Sequence, residues 1–257
     1  MKRPLEGRRV LVTRRPEQSG RVVSGLRELG ATVIEVPTLE LAPPEDYAAL
    51  DRALRRLHRY DWLVFTSGNA VRALHRRLED LEIEASAVGR ALPLASVGAS
   101  TSEVIHELFP DADVTLEPSA AFHAEALLEI FAVRGCAGQR FLLPTSNRAR
   151  DVLPRGLAAL GAEVEVVVAY RTVRPEGVAE RLAEGLREGV DLAVFASPSA
   201  VEGFLAALGE RANGLPSAAI GPVTARAARA AGLDVRIVAA PSTGEGLVDA
   251  VARHYCP

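Results

Sequence analysis

The chain has 257 residues, 48% of them hydrophobic and 25% charged, with a formal net charge of −3. That is the make-up of an ordinary globular protein, long enough for one large domain or two small ones. It excludes a general electrostatic attraction to nucleic acid or to an anionic membrane, and no apolar run approaches the roughly 20 residues that cross a bilayer.

In chain order, "RRVLVT" (8–13) is a short β-branched run and predicts a buried strand. From about Glu17 to Leu29, the helical spacing of Val22, Val23, Leu26 and Leu29 predicts a helix, with Gly30 as its C-cap. "TVIEVP" predicts a second strand, ended by Pro37. Residues 39–60 contain prolines and then a charged amphipathic helix. "WLVFT", "LASVG" and "ADVTL" are strands, each followed by a helix. "QRFLLPT" (139–145) and "EVEVVVAYRT" (163–172) flank another helix. A second proline-bearing segment with a charged helix starts at Val173. "LAVFA", "AAIG" and "DVRIV" close the chain as three more strand–helix units. Strands and helices alternate and the strands are apolar, so the class is α/β with parallel sheets covered by helices.

The chain repeats itself. "DWLVFTSGNAV" begins at Asp61 and "DLAVFASPSAV" at Asp191; "LRELGATVIEVPT" (26–38) matches "LAALGAEVEVVVAYRT" (157–172). "LPLASVGASTSEVI" (92–105) matches "LPSAAIGPVTARAA" (215–228), and "PSAAFHAEALLEIF" (118–131) matches "PSTGEGLVDAVA" (241–252). The order is a, b, a′, b′, too long a period for a solenoid, so two domain-sized units are expected, each with a five-stranded flavodoxin-like sheet. Periodicity leaves two assemblies open: a with b and a′ with b′, or a with b′ and b with a′.

In doubly wound sheets, ligands bind beyond the carboxyl ends of the strands. Those ends carry Arg14-Arg15, Ser67-Gly68-Asn69, Gly98-Ala99-Ser100-Thr101, Thr145-Ser146-Asn147-Arg148, Tyr170-Arg171-Thr172, Ser197-Pro198-Ser199, Gly221-Pro222-Val223-Thr224 and Ser242-Thr243-Gly244. Small hydroxyls and glycine ahead of helices cap them, and together such ends can hold several anionic groups. Arg14, Arg15, Arg148, Arg150 and Arg171 would add local positive charge.

Other chemistries are poorly served. The only lysine is Lys2, which argues against a Schiff base, pyridoxal phosphate or a P-loop. The remaining positive charge is arginine, whose ordinary reading is genomic base composition. No G-x-G-x-x-G follows a strand and no G-x-S-x-G is present. His58, His75, His106, His123 and His254 lack metal-ligand spacing and read as surface helix residues, with only His123 near a loop end. The two cysteines, Cys136 and Cys256, form no C-x-x-C, and "MKRPLEGRRV" has no apolar core; a reduced, cytoplasmic protein is expected.

"VLVTR" (10–14), "WLVFTSGNAV" (62–71), "VGASTSEVI" (97–105), "LGAEVEVVVAYRT" (160–172), "DLAVFASPSAVEGF" (191–204), "AAIGPVTARAARAAGL" (218–233) and "PSTGEGLVDAV" (241–251) occur here as one ordered set. In it the chain resembles the uroporphyrinogen-III synthase family of the stand-alone bacterial type, over nearly its whole length. The resemblance implies two flavodoxin-like parallel-sheet domains joined by a two-stranded linker, with a cleft between them: 1–37 plus 173–257, and 41–169, linked at 38–40 and 170–172. It implies cyclisation of linear hydroxymethylbilane to uroporphyrinogen III, with loss of water, inversion of ring D and no cofactor or metal. It makes Tyr170 the residue that assists departure of the hydroxyl. It makes Ser67, Thr101, Ser197 and Thr224 substrate-binding positions; the strand-end reading adds Arg14, Asn69, Ser146, Arg148, Arg150 and Ser199.

The chain departs from the family pattern in two places. Arg15 stands where a proline is common, and Thr145 where an arginine is frequent, so that Arg148 or Arg150 would supply that charge. Hydroxymethylbilane is the expected partner. Nucleic acid and membrane are not; the chain is expected to be monomeric, with at most transient contact with the preceding enzyme of the pathway. The alternative reading is a non-catalytic two-lobed protein that binds a small polyanion. A nucleotide-handling enzyme fits less well.

Overall fold

The computed structural model describes residues 3–119 and 123–256; Lys2 and Phe122 lie outside the described residues, as do the side chains of Arg90 and Ala91. The elements run β1 (Arg9–Val12), α1 (Pro16–Glu28), β2 (Thr32–Glu35), β3 (Glu40–Ala42), α2 (Ala48–Leu54), β4 (Trp62–Phe65), α3 (Gly68–Asp80), α4 (Ser86–Ala91), β5 (Leu94–Ser96), α5 (Ala99–Leu108) and β6 (Val114–Leu116). They continue with α6 (Ala124–Arg134), β7 (Arg140–Ser146), α7 (Val152–Ala159), β8 (Glu163–Val173), α8 (Val178–Arg187), β9 (Leu192–Phe195), α9 (Pro198–Leu208), β10 (Pro216–Ala219), α10 (Pro222–Ala230), β11 (Asp234–Val238) and α11 (Gly244–Tyr255). Short 3₁₀ turns at Leu57–Arg59 and Gly209–Ala212 complete the set.

The chain forms two compact units, Met1–Glu40 with Val173–Pro257, and Leu41–Thr172. The first unit's sheet has the order β11-β10-β9-β1-β2; the second's is β3-β8-β7-β4-β5-β6. The pairings within a–b′ and b–a′ are parallel. Thus a is built with b′ and b with a′. Without β3, the two sheets share one spatial order, and the second unit is a circular permutation of the first. Its counterparts of β1 and β2, the strands β7 and β8, come last in its sequence.

Alternation along the strands explains the layering. Val10, Val12, Leu192 and Val194 face one core with α1 and α11, whereas Leu11, Ala193 and Phe195 face another with α8 and α9. In the second unit, Leu63, Phe65 and Leu142 face α3 and α5, whereas Trp62, Val64, Phe141 and Leu143 face α6 and α7. Strands buried on both faces need continuous apolar runs, as the sequence has.

Two repeated devices set the registers. Asp191 donates its N–H to Arg9 O (2.9 Å) and accepts the Arg9 N–H at Oδ2 (2.8 Å). Asp61 makes the same pair with Arg140, at 2.8 and 2.8 Å. The aspartate opening each "D-x-x-V-F" therefore clamps the neighbouring strand. Gly30 (φ +98°) and Gly161 (φ +86°) end α1 and α7 in the left-handed region. The following amides reach back to Leu26 O (3.0 Å) and Leu157 O (3.1 Å), the closing bonds of a Schellman turn.

Two local expectations shift. The second unit's sheet has six strands rather than five, because β3 joins its edge beside β8. The strand expected at 38–40 instead spans Glu40–Ala42, because Thr38 is held in the first unit. Its N–H donates to Thr13 O (3.2 Å) and its hydroxyl to Ala200 O (3.2 Å).

Candidate active site

The second unit holds a cavity of about 530 Å³ beyond the carboxyl ends of β4, β7 and β8. Val97, Leu143, Pro144, Leu153, Pro154, Val166 and Val168 give it apolar walls. Thr66, Ser67, His123, Thr145, Ser146, Asn147, Arg150, Asp151 and Tyr170 supply its polar groups. An apolar concavity with a few convergent polar groups is the usual form of a small-molecule site.

The polar groups are positioned by helix starts. Ser67 caps α3; its Oγ accepts the N–H of Ala70 at 3.2 Å. The same Oγ lies 3.2 Å from the Tyr170 hydroxyl on β8. Asn69 follows in the first turn of α3. Ser146 ends β7, and its Oγ accepts the N–H of Arg148 at 3.2 Å. Asn147 ties the loop to β8: its Oδ1 accepts the Thr172 N–H at 2.9 Å. At the rim, Arg150 pairs with Glu125 at 3.2 Å, and His123 Nδ1 caps α6 by accepting the Ala126 N–H, also at 3.2 Å. The amide at the start of α6, followed by Arg150, holds the Glu125 carboxyl below its usual range.

Ser67, Ser146, Arg150 and Tyr170 therefore meet at one cavity of the second unit. Arg148 does not line it; its side chain is exposed and only its backbone amide joins the loop. Arg171 is engaged elsewhere, donating to Pro43 O (2.9 Å) and to Glu45 (2.7 Å). Thr101 is the third residue of α5, 4% exposed.

In the first unit, Arg14, Ser197, Ser199 and Thr224 follow the adjacent strands β1, β9 and β10. Ser197 caps α9 as Ser67 caps α3, with the Ala200 N–H at 3.2 Å. Its Oγ is 3.0 Å from that of Ser199. Thr224 is the third residue of α10 and 3% exposed, matching Thr101. Burial, then the charge of Arg15, pushes the Arg14 guanidinium below its ordinary value, although it stays protonated.

Sequence reasoning misses the apolar walls and passes over Asn147 and His123. Val166 and Val168 alternate with Val167 and Ala169, which belong to the α3–α5 core. His123 is not a surface residue within a helix; it is the cap itself.

Parallel sheets with capped helix starts and a polar-lined cavity at their carboxyl ends define an α/β enzyme of the doubly wound class. The family model described as "Uroporphyrinogen-III synthase HemD" matches residues 20–249. The uroporphyrinogen-III synthase of Synechococcus elongatus is 35% identical over 231 residues, covering 86% of this chain and 85% of that protein. That of Chlorobaculum parvum is 26% identical, covering 95% and 97%. The chain belongs to the uroporphyrinogen-III synthase family, and its activity is uroporphyrinogen-III synthesis in tetrapyrrole biosynthesis. In fold it is similar to a mutant uroporphyrinogen III synthase of Thermus thermophilus, with a TM-score of 0.70, 19% identity and coverage of 96% and 98%. The Helicobacter pylori enzyme gives a TM-score of 0.61 at 15% identity, with coverage of 94% and 97%.

Proposed function

We propose that the substrate is hydroxymethylbilane and that Tyr170 protonates its departing hydroxyl. The observation that carries this reading is the Ser67–Tyr170 contact at 3.2 Å inside the second unit's cavity. Ser67 Oγ uses one lone pair to accept the Ala70 amide. Its own proton is then free to point at the Tyr170 oxygen while the phenolic proton points at substrate. As the C–O bond breaks, the Tyr170 proton passes to the leaving oxygen and water departs. The Ser67 hydroxyl stabilises the negative charge that develops on the phenolic oxygen. The azafulvene so formed is attacked by the substituted α-carbon of ring D; the bond from that carbon to the methylene of ring C then breaks, the methylene rejoins ring D at its free α-carbon, and loss of the hydrogen there restores aromaticity and returns a proton to Tyr170.

The apolar walls exclude water from the azafulvene and receive pyrrole rings. Candidate carboxylate-binding groups are the helix starts at Ser67 and Asn69, the Thr101 hydroxyl, and Ser146 with the Arg150 cation in the second unit; Arg14, Ser197, Ser199 and Thr224 are the corresponding candidates of the first unit. The loop after Ser146 places Arg148 as a further, exposed cation. The work of the protein is then chiefly to hold one substrate shape. We place the enzyme in the cytoplasm as a monomer; both cysteines are free thiols, and among the described residues no helix is long and apolar enough to cross a membrane.

The test is an isomer assay. Hydroxymethylbilane generated in situ is incubated with the protein, the product is oxidised, and isomers I and III are separated. Isomer III rising with protein, and falling sharply with Tyr170→Phe, is the expected result. Isomer III formed equally well by Tyr170→Phe removes the tyrosine from the mechanism.

A further inference from the structure

The second unit has another concavity, about 330 Å³, at the opposite, amino-terminal edge of its sheet. Arg52 on α2 and Arg56 and Arg59 around the following 3₁₀ turn form one wall. Arg140 and Glu163, paired in register at the starts of β7 and β8, form the other, with Phe141 beneath.

The carboxylates of this concavity are already engaged. Glu163 pairs with Arg140 at 2.9 Å. Glu165 accepts the hydroxyl of Tyr60 at 2.6 Å. Burial, and then that bond, pushes the Tyr60 phenol above its ordinary value, so it remains a donor. Among the described residues, no carboxylate stands within ion-pair reach of Arg52, Arg56 or Arg59. Elsewhere on the same helix and its neighbour, Arg77 is satisfied by Asp51 at 2.7 Å. The macrodipole of α2 accounts for a cation at Arg52, in its last turn, but not for two more beyond the helix end. Like charges four apart repel, so placing Arg52 and Arg56 together costs stability. Arginine-rich composition explains how many arginines the chain has; it does not explain three unpaired ones around one hollow.

We propose that this concavity is a binding site for a compact anion bearing two or more oxyanion groups, separate from the Tyr170 cavity. Guanidinium forks match planar carboxylate and tetrahedral phosphate alike, and convergent arginines favour ligands with adjacent charges. The proposal stands without the mechanism given above, since it uses none of its residues.

Titration calorimetry on the full chain tests it, with inorganic pyrophosphate as the phosphate probe and citrate as the carboxylate probe. The expected result is saturable binding of at least one probe, weakened about tenfold or more in Arg52→Gln/Arg56→Gln and retained in Arg150→Gln, which removes the cation lining the Tyr170 cavity. The stronger probe then identifies the ligand as phosphate-bearing or polycarboxylate. No saturable binding, binding undiminished in the double variant, or binding lost in Arg150→Gln would overturn it. A second measurement needs no variant. Bound probe is expected to shield Arg52, Arg56 and Arg59 of the wild-type chain from phenylglyoxal, read by peptide mass spectrometry. Equal labelling with and without probe overturns the site.

Discussion

Ser67 and Ser197 hold the same post in two copies of one strand–cap–helix unit. Their backbones are extended alike, at φ −164° and −161°, and each accepts the amide three residues on at 3.2 Å. What differs is the strand two places along the sheet. In the second unit, β8 runs through 11 residues and brings the Tyr170 hydroxyl to Ser67. In the first, β2 has four residues and Pro37 follows soon after; Thr38, fully buried, bonds to Ala200 O of α9. One copy therefore opens onto a cavity with a phenol, while its counterpart has the Ser199 hydroxyl at 3.0 Å as its partner. A duplicated scaffold keeps its cap for stability in both copies, and the strand two places along decides which copy gains a reactive group.

The sharpest break of this comparison is at the phenol. Tyr170→Phe is expected to lower single-turnover formation of isomer III by about 100-fold or more, the scale of a lost general acid, with product binding unchanged within a few fold. Next come the two caps. Ser67→Ala and Ser197→Ala are each expected to lose about 1 kcal/mol of stability in urea unfolding. Only Ser67→Ala should also lose turnover, by about tenfold, the worth of one hydrogen bond to a developing charge. Ser67→Thr, which keeps hydroxyl and cap, should recover most of it. Equal turnover losses in both alanine variants would mean that the tyrosine contact is incidental.

A third test lies in the packing against Thr38. A Cβ on Gly203 would come within 3.0 Å of the Thr38 carbonyl oxygen, whereas the matching helix position in the second unit is already Ala73. Gly203→Ala is therefore expected to destabilise by about 1 kcal/mol, even though alanine is the better helix former. A rise in the unfolding midpoint would show that Thr38 yields.

The smallest effect concerns the strand clamps. The Arg9 amide, then the Arg8 guanidinium at 2.8 Å, holds the Asp191 carboxyl below its usual range. A depressed folded value stabilises the fold above the unfolded pKa, near about 4. That stability is lost as pH falls through the lower folded value. Asp191→Asn should thus cost about 1 kcal/mol at about pH 7 and show a shallower loss of stability below about pH 4 than the wild type. Denaturant unfolding at neutral pH and at about pH 3 measures both.

Much of this was legible in the sequence, and for local reasons. Strand alternation, helix spacing, the glycine after each helix of the "LGA" phrases and the serine before each helix act over a few residues. The ordered phrases around Tyr170 and Thr224 carried the family resemblance. The apolar walls, the His123 cap and the engagement of Arg171 by the α2 side were not legible, since each depends on which segments stand next to one another. The choice of partners is the clearest case. The copies of a are alike and the copies of b are alike, so pairing β1 with β4 or with β9 would bury similar apolar faces. Sequence by itself determined the α/β class, the elements and their serine and glycine caps; its repeats left the strand partners open, the family resemblance implied a with b′, and only the tertiary structure shows β1 beside β9 and β7 beside β4. The physical reason is that strand pairing is long-range and the repeated pattern is degenerate for it. Only the assembled sheet sets Tyr170 against Ser67.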